Sequence, residues 1–371
     1  MKTESRRQKA VGSRWRANRR HFSFTAFCLL LSAFCFSVHA AGVWTKQRTG
    51  SFAWLHAIYF LDENRGWAVG GKGTILATGD GGNLWRALPR PTEDSLQDVY
   101  FADDQTGWLV CERNIYDLKT VDEPRTYLMR TSNGGRTWTR VNVIGKDVNV
   151  RLVRALFTTG GRGWAFGEGG ILYTTHDGGT NWEPQSVPTR YLLLGGLFLN
   201  AQQGWLVGAG ATILQTSDGG VTWNTGALLN TATAPSKNAK DAEAAAAHVR
   251  FTATSFIDQR RGWAVGAEGK VFATRDGGRT WSAQVSNTTA DLLDVRFISE
   301  YEGWAVGAQG TLIRTMDGGA HWTMEASGTT HPLERIFFVG RTRGWIVGFG
   351  GTIISYSADG ATPQRPELRR Q

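Results

Sequence analysis

The pair Gly-Trp occurs seven times in this chain, at Gly66-Trp67, Gly107-Trp108, Gly163-Trp164, Gly204-Trp205, Gly262-Trp263, Gly303-Trp304 and Gly344-Trp345. Successive tryptophans are 41, 56, 41, 58, 41 and 41 residues apart, so four steps are identical and the other two exceed them by 15 and 17. A unit of this length cannot bury its apolar face alone, and repeated copies share one continuous core. The period therefore predicts one large repeat domain over about residues 43–360 rather than two or three independent domains.

The unit Asp294 to Trp322 shows the local grammar. Val295-Arg296-Phe297 alternates like a strand, and Gly303-Trp304-Ala305-Val306-Gly307 makes a second one. A glycine-bounded turn leads to a third, Thr311 to Thr315, and Asp317-Gly318-Gly319 then turns into a fourth beginning near Trp322. Four short strands with tight turns make one antiparallel sheet, and such sheets arranged around an axis are propeller blades. The Asp-Gly-Gly turn recurs with its first residue at Asp80, Asn133, Asp177, Asp218, Asp276 and Asp317, each followed by a tryptophan (Trp85, Trp138, Trp182, Trp223, Trp281, Trp322). The carboxylate suits backbone N–H donors of its own turn, the glycines suit positive φ, and the tryptophan suits an apolar lid. These residues are expected to be structural staples, because side chains spread around a rim cannot converge on one substrate.

The seventh turn, at Asp359, lacks its tryptophan. Trp44 aligns with Trp281 and has no turn before it, so the N-terminal strand is expected to complete the last blade. The fold class predicted is all-β: a closed seven-bladed propeller of four-stranded antiparallel blades. Closure removes the sheet edges that an open array would expose.

The formal charge of +9 is concentrated at the start, where residues 1–40 carry eight Lys/Arg against Glu4 and leave +2 for the remainder. That remainder is not the field of a nucleic-acid binder. A basic stretch ending at Arg19-Arg20, an apolar run from Phe22 to Val38 and Val38-His39-Ala40 read as an export signal cleaved near Ala40. Arg19-Arg20-His21-Phe22 resembles the core of a twin-arginine signal, and an uncleaved anchor is the alternative to removal. The domain division expected is 1–40 signal peptide and 41–371 propeller, with a short basic tail at 361–371. Only Cys111 remains after the signal, so no internal disulfide forms.

Strand order assigns loops to faces. Turns between strands two and three share one face with the connections between blades; turns between strands one and two share the other with the Asp-Gly-Gly turns. The two excesses, at about 111–127 and 226–248, both fall on the first face, where insertions in repeat proteins often mark a binding surface. Three residues before the last Phe of each first strand stand Ala57, Asp98, Arg154, Gly195, Ala253, Asp294 and Arg335, facing the central channel. Ion pairs of Asp98 with Arg154 and of Asp294 with Arg335 would plug it. The alternative is a ligand funnel, with Trp54, His56, Arg151, Arg190 and Arg250 around its mouth beside Arg154 and Arg335. On the opposite face Arg65, Arg162, Arg261 and Arg343 each precede Gly-Trp, a pattern suited either to a discontinuous basic patch for an acidic partner or to solvated turns.

Gly-Trp-x-Val-Gly combined with Thr-x-x-Asp-Gly-Gly-x-x-Trp over residues 43–360 resembles the photosystem II stability/assembly factor family. The resemblance implies a non-enzymatic seven-bladed propeller exported to the periplasm or thylakoid lumen. It also implies a partner that is a newly made subunit of a membrane-protein complex, or its precursor, gripped by a basic surface, and no cofactor. Sialidase-like glycoside hydrolases and glycan-binding propellers use the same turn and form the competing class. The hydrolases need an arginine triad, a Tyr nucleophile with a Glu, and an Asp acid. They also carry an Arg-Ile-Pro signature near the start, which this chain lacks; Arg335-Ile336-Phe337 is the nearest sequence and is misplaced. His56, His176, His248, His321 and His331 show no metal-ligand spacing, so no metal is expected.

Overall fold

The computed structural model describes residues 42–359, apart from 119, 121–122, 142, 144–149, 159 and 230–247. The expected signal at 1–40, the tail at 361–371 and most of the insertion at 226–248 lie outside the described residues.

Seven sheets form, six of them wholly antiparallel, and the first strands of successive blades contact one another around a closed ring. These first strands are Leu55–Phe60, Ser95–Phe101, Leu152–Phe157, Leu193–Phe198, Phe251–Phe256, Leu292–Phe297 and Leu333–Val339, and they begin blades 1 to 7. Each Gly-Trp opens a second strand, as in Gly303–Gly307 of blade 6, which is buried along its whole length.

The reason for the pair is steric. In blade 6, Phe297 lies opposite Gly303 in register, and a Cβ on Gly303 would sit 2.6 Å from the Phe297 ring. The six equivalent glycines meet their own Phe at 2.3–2.7 Å. The next residue, Trp, points to the other side of the strand and stacks on the Phe of the following blade: Trp263 on Phe297 at 3.5 Å, Trp345 on Phe60 at 3.5 Å. All seven interfaces repeat this stack, with centroids 3.5–4.8 Å apart. The same Phe receives the turn tryptophan of its own blade edge-on, as Trp322 meets Phe297 at 5.8 Å and 87°. Each aromatic contact of this kind adds about 0.5–1.5 kcal/mol beyond its buried area.

Blade 7 takes its fourth strand from the N-terminal side, where Val43–Lys46 pairs antiparallel with Ile353–Ser357. Trp44 stands in for the missing turn tryptophan, meeting Phe338 edge-on at 6.0 Å and 84°. Its Nε1 donates to Glu325 Oε2 at 3.0 Å, and Trp304 Nε1 donates to the same oxygen at 3.1 Å.

Blade 5 departs from four strands. After the two-residue fourth strand of blade 4, Asn224–Thr225, the chain crosses over, and Ala227–Leu229 pairs parallel with Thr280–Gln284 at the outer edge of blade 5. The start of the second insertion therefore lengthens a blade edge, which no local pattern in Ala227-Leu228-Leu229 announces. The first insertion lengthens the hairpin between Gly107–Glu112 and Thr126–Thr131 in blade 2.

Candidate functional site

The Asp-Gly-Gly turns are self-contained. In blade 6, Thr315 Oγ1 donates to Asp317 Oδ1 at 2.9 Å, the N–H of Gly319 donates back to Thr315 Oγ1 at 2.8 Å, and the N–H of His321 donates to Asp317 Oδ1 at 2.9 Å. Gly318 and Gly319 hold φ of 73° and 90°, which L side chains rarely adopt. The same bonds recur around Asp80, Asn133, Asp177, Asp218 and Asp276. The N–H of Asn181 first, then its side chain, holds the Asp177 carboxyl down at about 2; the N–H and then the ring of His321 do the same for Asp317. Asn133 keeps the fold of the turn without the charge. Asp359 is exposed at the end of the described chain. The turns also lock neighbouring blades, because the Trp164 Nε1–H donates to the Gly219 carbonyl at 2.9 Å and that of Trp263 to Gly318 at 2.9 Å.

The four arginines before Gly-Trp lie on the turn face and are largely engaged. Arg65 pairs with Asp62 at 2.7 Å and reaches Asp104 of the next blade at 3.4 Å. Arg261 pairs with Asp258 at 2.7 Å and with Glu300 of the next blade. Arg162 lies over Trp164 at 5.6 Å and donates to the Gly219 carbonyl at 3.1 Å, while Arg343 lies over Trp345 at 5.8 Å. The guanidiniums of Arg65, Arg162 and Arg261 thus bridge their own blades to the following ones.

The channel differs from the expected ion pairs. Asp98 accepts from the N–H groups of Val99 at 3.1 Å and of Ala155, in the next blade, at 3.4 Å. Asp294 accepts from Val295 at 3.0 Å and from Ile336, in the next blade, at 3.0 Å. A two-against-one register shift stands beside each residue, at Leu96/Asp98 and Leu292/Asp294, as it does at the equivalent position of every blade. Burial pushes both carboxyls up to about 6 against the opposing charge of Arg154, which acts on the two of them; Arg296, not Arg335, is the second charge felt by Asp294. Arg154 Nε is buried without a hydrogen-bond partner.

At the channel mouth Trp54 donates from Nε1 to Glu334 Oε1 at 2.9 Å and lies 5.4 Å from His56 and 5.3 Å from Phe349. Burial, then the charge of Arg151, holds the His56 imidazole down at about 4 and therefore neutral. Arg151 Nε donates to Glu112 Oε2 at 3.0 Å, and Arg125 joins Glu112 at 3.0 Å and Glu168 of the next blade at 3.3 Å. The base of the blade 2 insertion is tied to blade 3 through this network, beside a polar cavity of about 630 Å³ bordered by Lys72, Asp94, Arg113 and Asp117. Sequence reasoning missed Glu112, Arg125 and Glu334, since each lies outside any repeated position of like charge. Arg190 and Arg250 are exposed. The mouth thus brings Trp54, His56 and Arg151 together. Among the described residues no group of three His, Cys, Asp or Glu side chains is placed to hold a metal ion.

A family model described as photosynthesis system II assembly factor YCF48 matches residues 83–190, 180–240 and 283–357. The chain belongs to this family. The curated relative photosystem II assembly lipoprotein Ycf48 of Synechococcus sp. (strain CC9902) is 29% identical over 131 residues, 34% of this chain. The match spans only 35% of that relative's length. Among solved structures, YCF48 from Cyanidioschyzon merolae superposes with a TM-score of 0.65 at 20% identity, covering 86% of this chain and 99% of its own. A structure of YCF48 bound to D1 peptide gives 0.65 at 20% identity, covering 85% and 96%. At that identity the two structures establish a shared fold.

Proposed function

We infer that this chain is a non-enzymatic, exported assembly or stability factor that holds a segment of a membrane-complex subunit or its precursor. The match to the YCF48 family model over most of the propeller carries the reading. The structural neighbour with a D1 peptide supports a peptide segment as the thing held, and a photosystem II subunit where the host is photosynthetic. The basic, apolar leader at 1–40, with Ala40 as cleavage point, supports delivery to the periplasm or thylakoid lumen. The side chains support binding over catalysis: the turn carboxylates are consumed by their own loops, and Arg65 and Arg261 by cross-blade ion pairs.

The test is crosslinking of the tagged full-length chain in its native host, with crosslinked peptides identified by mass spectrometry. A membrane-embedded subunit or its precursor is expected among the products. Absence of any such subunit, together with hydrolysis of sialosides that disappears in Arg151→Ala, would overturn the reading in favour of a glycoside hydrolase.

A further inference from the structure

The central channel holds guanidiniums that no other group of the protein uses. Six arginines among the described residues bury Nε without a hydrogen bond, and five of them are engaged in another way. Arg125 and Arg314 pair with glutamates, Arg162 donates to the Gly219 carbonyl, and Arg130 and Arg343 lie over Trp108 and Trp345. Arg154 is the sixth. Its guanidinium has no ion pair, hydrogen bond or aromatic face among the described residues. The guanidiniums of Arg296 and Arg335, also on first strands, have no hydrogen-bonded or ion-paired partner there either.

Arg154 belongs to blade 3, yet it is the leading charge acting on Asp98 of blade 2 and on Asp294 of blade 6. Its guanidinium therefore stands in the channel between them. Arg296 lies two residues nearer the turn face than Asp294 on the same strand, and its charge reaches that carboxylate too. Neither arginine comes within ion-pair distance of an aspartate, whose oxygens are occupied by the N–H groups of Val99, Ala155, Val295 and Ile336. Tyr59, Tyr100 and Phe337 take the position of Arg296 in blades 1, 2 and 7, and their rings pack 5.1–5.2 Å apart. These rings form an apolar wall, and burial pushes the Arg296 guanidinium down from its ordinary value. Solvent still reaches Arg154 and Arg296, which are partly exposed. Each guanidinium carries five N–H donors, and leaving donors of a poorly solvated cation without acceptors is costly.

We propose that the central channel binds a small inorganic oxyanion of the sulfate or phosphate type, held between the guanidiniums of Arg154 and Arg296 beside Asp294. Paired N–H donors of a guanidinium match two oxygens of such an anion, and two forks meet it from different blades. The site concerns the ring itself and stands whatever chain the protein holds. Protons tune it. Asp98 and Asp294 titrate near 6, so below that pH two negative charges leave the channel and the Asp294 carboxyl gains an O–H donor. The remaining groups on the first strands do not oppose this. His56 stays neutral down to about 4, Glu334 is raised by burial, Tyr59 and Tyr100 are raised and neutral, and Arg335 adds positive charge. The first strands of blades 4 and 5 carry no titratable side chain. Affinity therefore rises as pH falls through about 6.

The test is isothermal titration calorimetry of the full-length protein with sodium sulfate at pH 5.5 and pH 7.5, since sulfate stays a dianion at both. Saturable binding of one sulfate is expected, about ten-fold tighter at pH 5.5, the scale of removing a neighbouring like charge. Arg154→Gln and Arg296→Gln are each expected to weaken binding about ten-fold, the scale of losing a charge-assisted contact. Arg65→Gln, on the turn face, should leave it within about two-fold, as a residue outside the site does. The double variant Asp98→Asn, Asp294→Asn is neutral at either pH and should bind at pH 7.5 as tightly as wild type does at pH 5.5. A merely structural role for the arginines would not move that pH dependence. Wild-type crystals soaked in selenate should show an anomalous peak between Arg154 and Arg296, a measurement that needs no variant to fold. Chloride bound as tightly as sulfate, no saturable sulfate binding at either pH, or selenate found only outside the channel would overturn the proposal. Sulfate binding unchanged in both arginine variants, the mark of an adventitious ion only, would overturn it as well.

Discussion

A methyl group on Gly303 has nowhere to go, because the Phe297 ring that would meet it at 2.6 Å is itself pinned between Trp263 and Trp322. Gly303→Ala is accordingly expected to cost about 2–3 kcal/mol of stability in urea unfolding, the scale of an overpacked core. The exposed Thr323→Ala in the same blade should stay within about 0.5 kcal/mol. Asp98 and Asp294 make a second test at this scale. Their folded carboxyls titrate near 6, above the ordinary value of 3.8, so the native state holds more protons than the unfolded chain between those limits. Stability from these two groups is then greatest below pH 3.8 and falls as pH rises to about 6, by on the order of 3 kcal/mol each. His56, held near 4 against an ordinary 6.5, works in the opposite sense, losing stability as pH falls from 6.5 toward 4. Measured by urea unfolding between pH 5 and pH 7.5, the double variant Asp98→Asn, Asp294→Asn should be relatively more stable than wild type at the upper pH and should unmask the contribution of His56. An unchanged pH profile would mean that neither carboxylate titrates in this window.

At the scale of elements, the strand Val43–Lys46 closes the ring through one edge. Trp44 contacts Phe338, Trp304 and Tyr356 and shares Glu325 with Trp304, so Trp44→Ala removes an aromatic junction and leaves a partly buried carboxylate short of a donor. A loss of about 3–5 kcal/mol is expected in chemical unfolding. Deleting residues 43–46 should in addition expose the strand Ile353–Ser357 and produce concentration-dependent association in sedimentation, as unpaired edges do. This closure was legible in the sequence because Trp44 sits at a fixed distance in the repeat and Asp359 lacks its tryptophan. The added edge strand Ala227–Leu229 was not, because its partner Thr280–Gln284 lies about fifty residues away and its three residues carry no alternation. The channel was half legible. Repeat position showed which residues face it, but the cross-blade bond that Asp98 accepts from the N–H of Ala155 follows from how two neighbouring strands sit in space, which the repeat pattern does not encode.

For the whole molecule, symmetry accounts for the architecture and departures from symmetry for the places where something can bind. The seven Trp–Phe stacks, the six complete turns and the cross-blade arginines are each consumed in holding one blade to the next. Two departures that open space among the described residues are the long hairpin of blade 2 and an amide-lined groove beside blade 5. The assembly-factor account is tested most directly by pulse-chase labelling of newly made membrane-complex subunits in the native host, with and without this chain. The account predicts that removing the chain shortens the lifetime of a newly made subunit or leaves its precursor unassembled, and that returning the wild-type chain restores both. Unchanged lifetimes and unchanged assembly of every labelled membrane complex would contradict it.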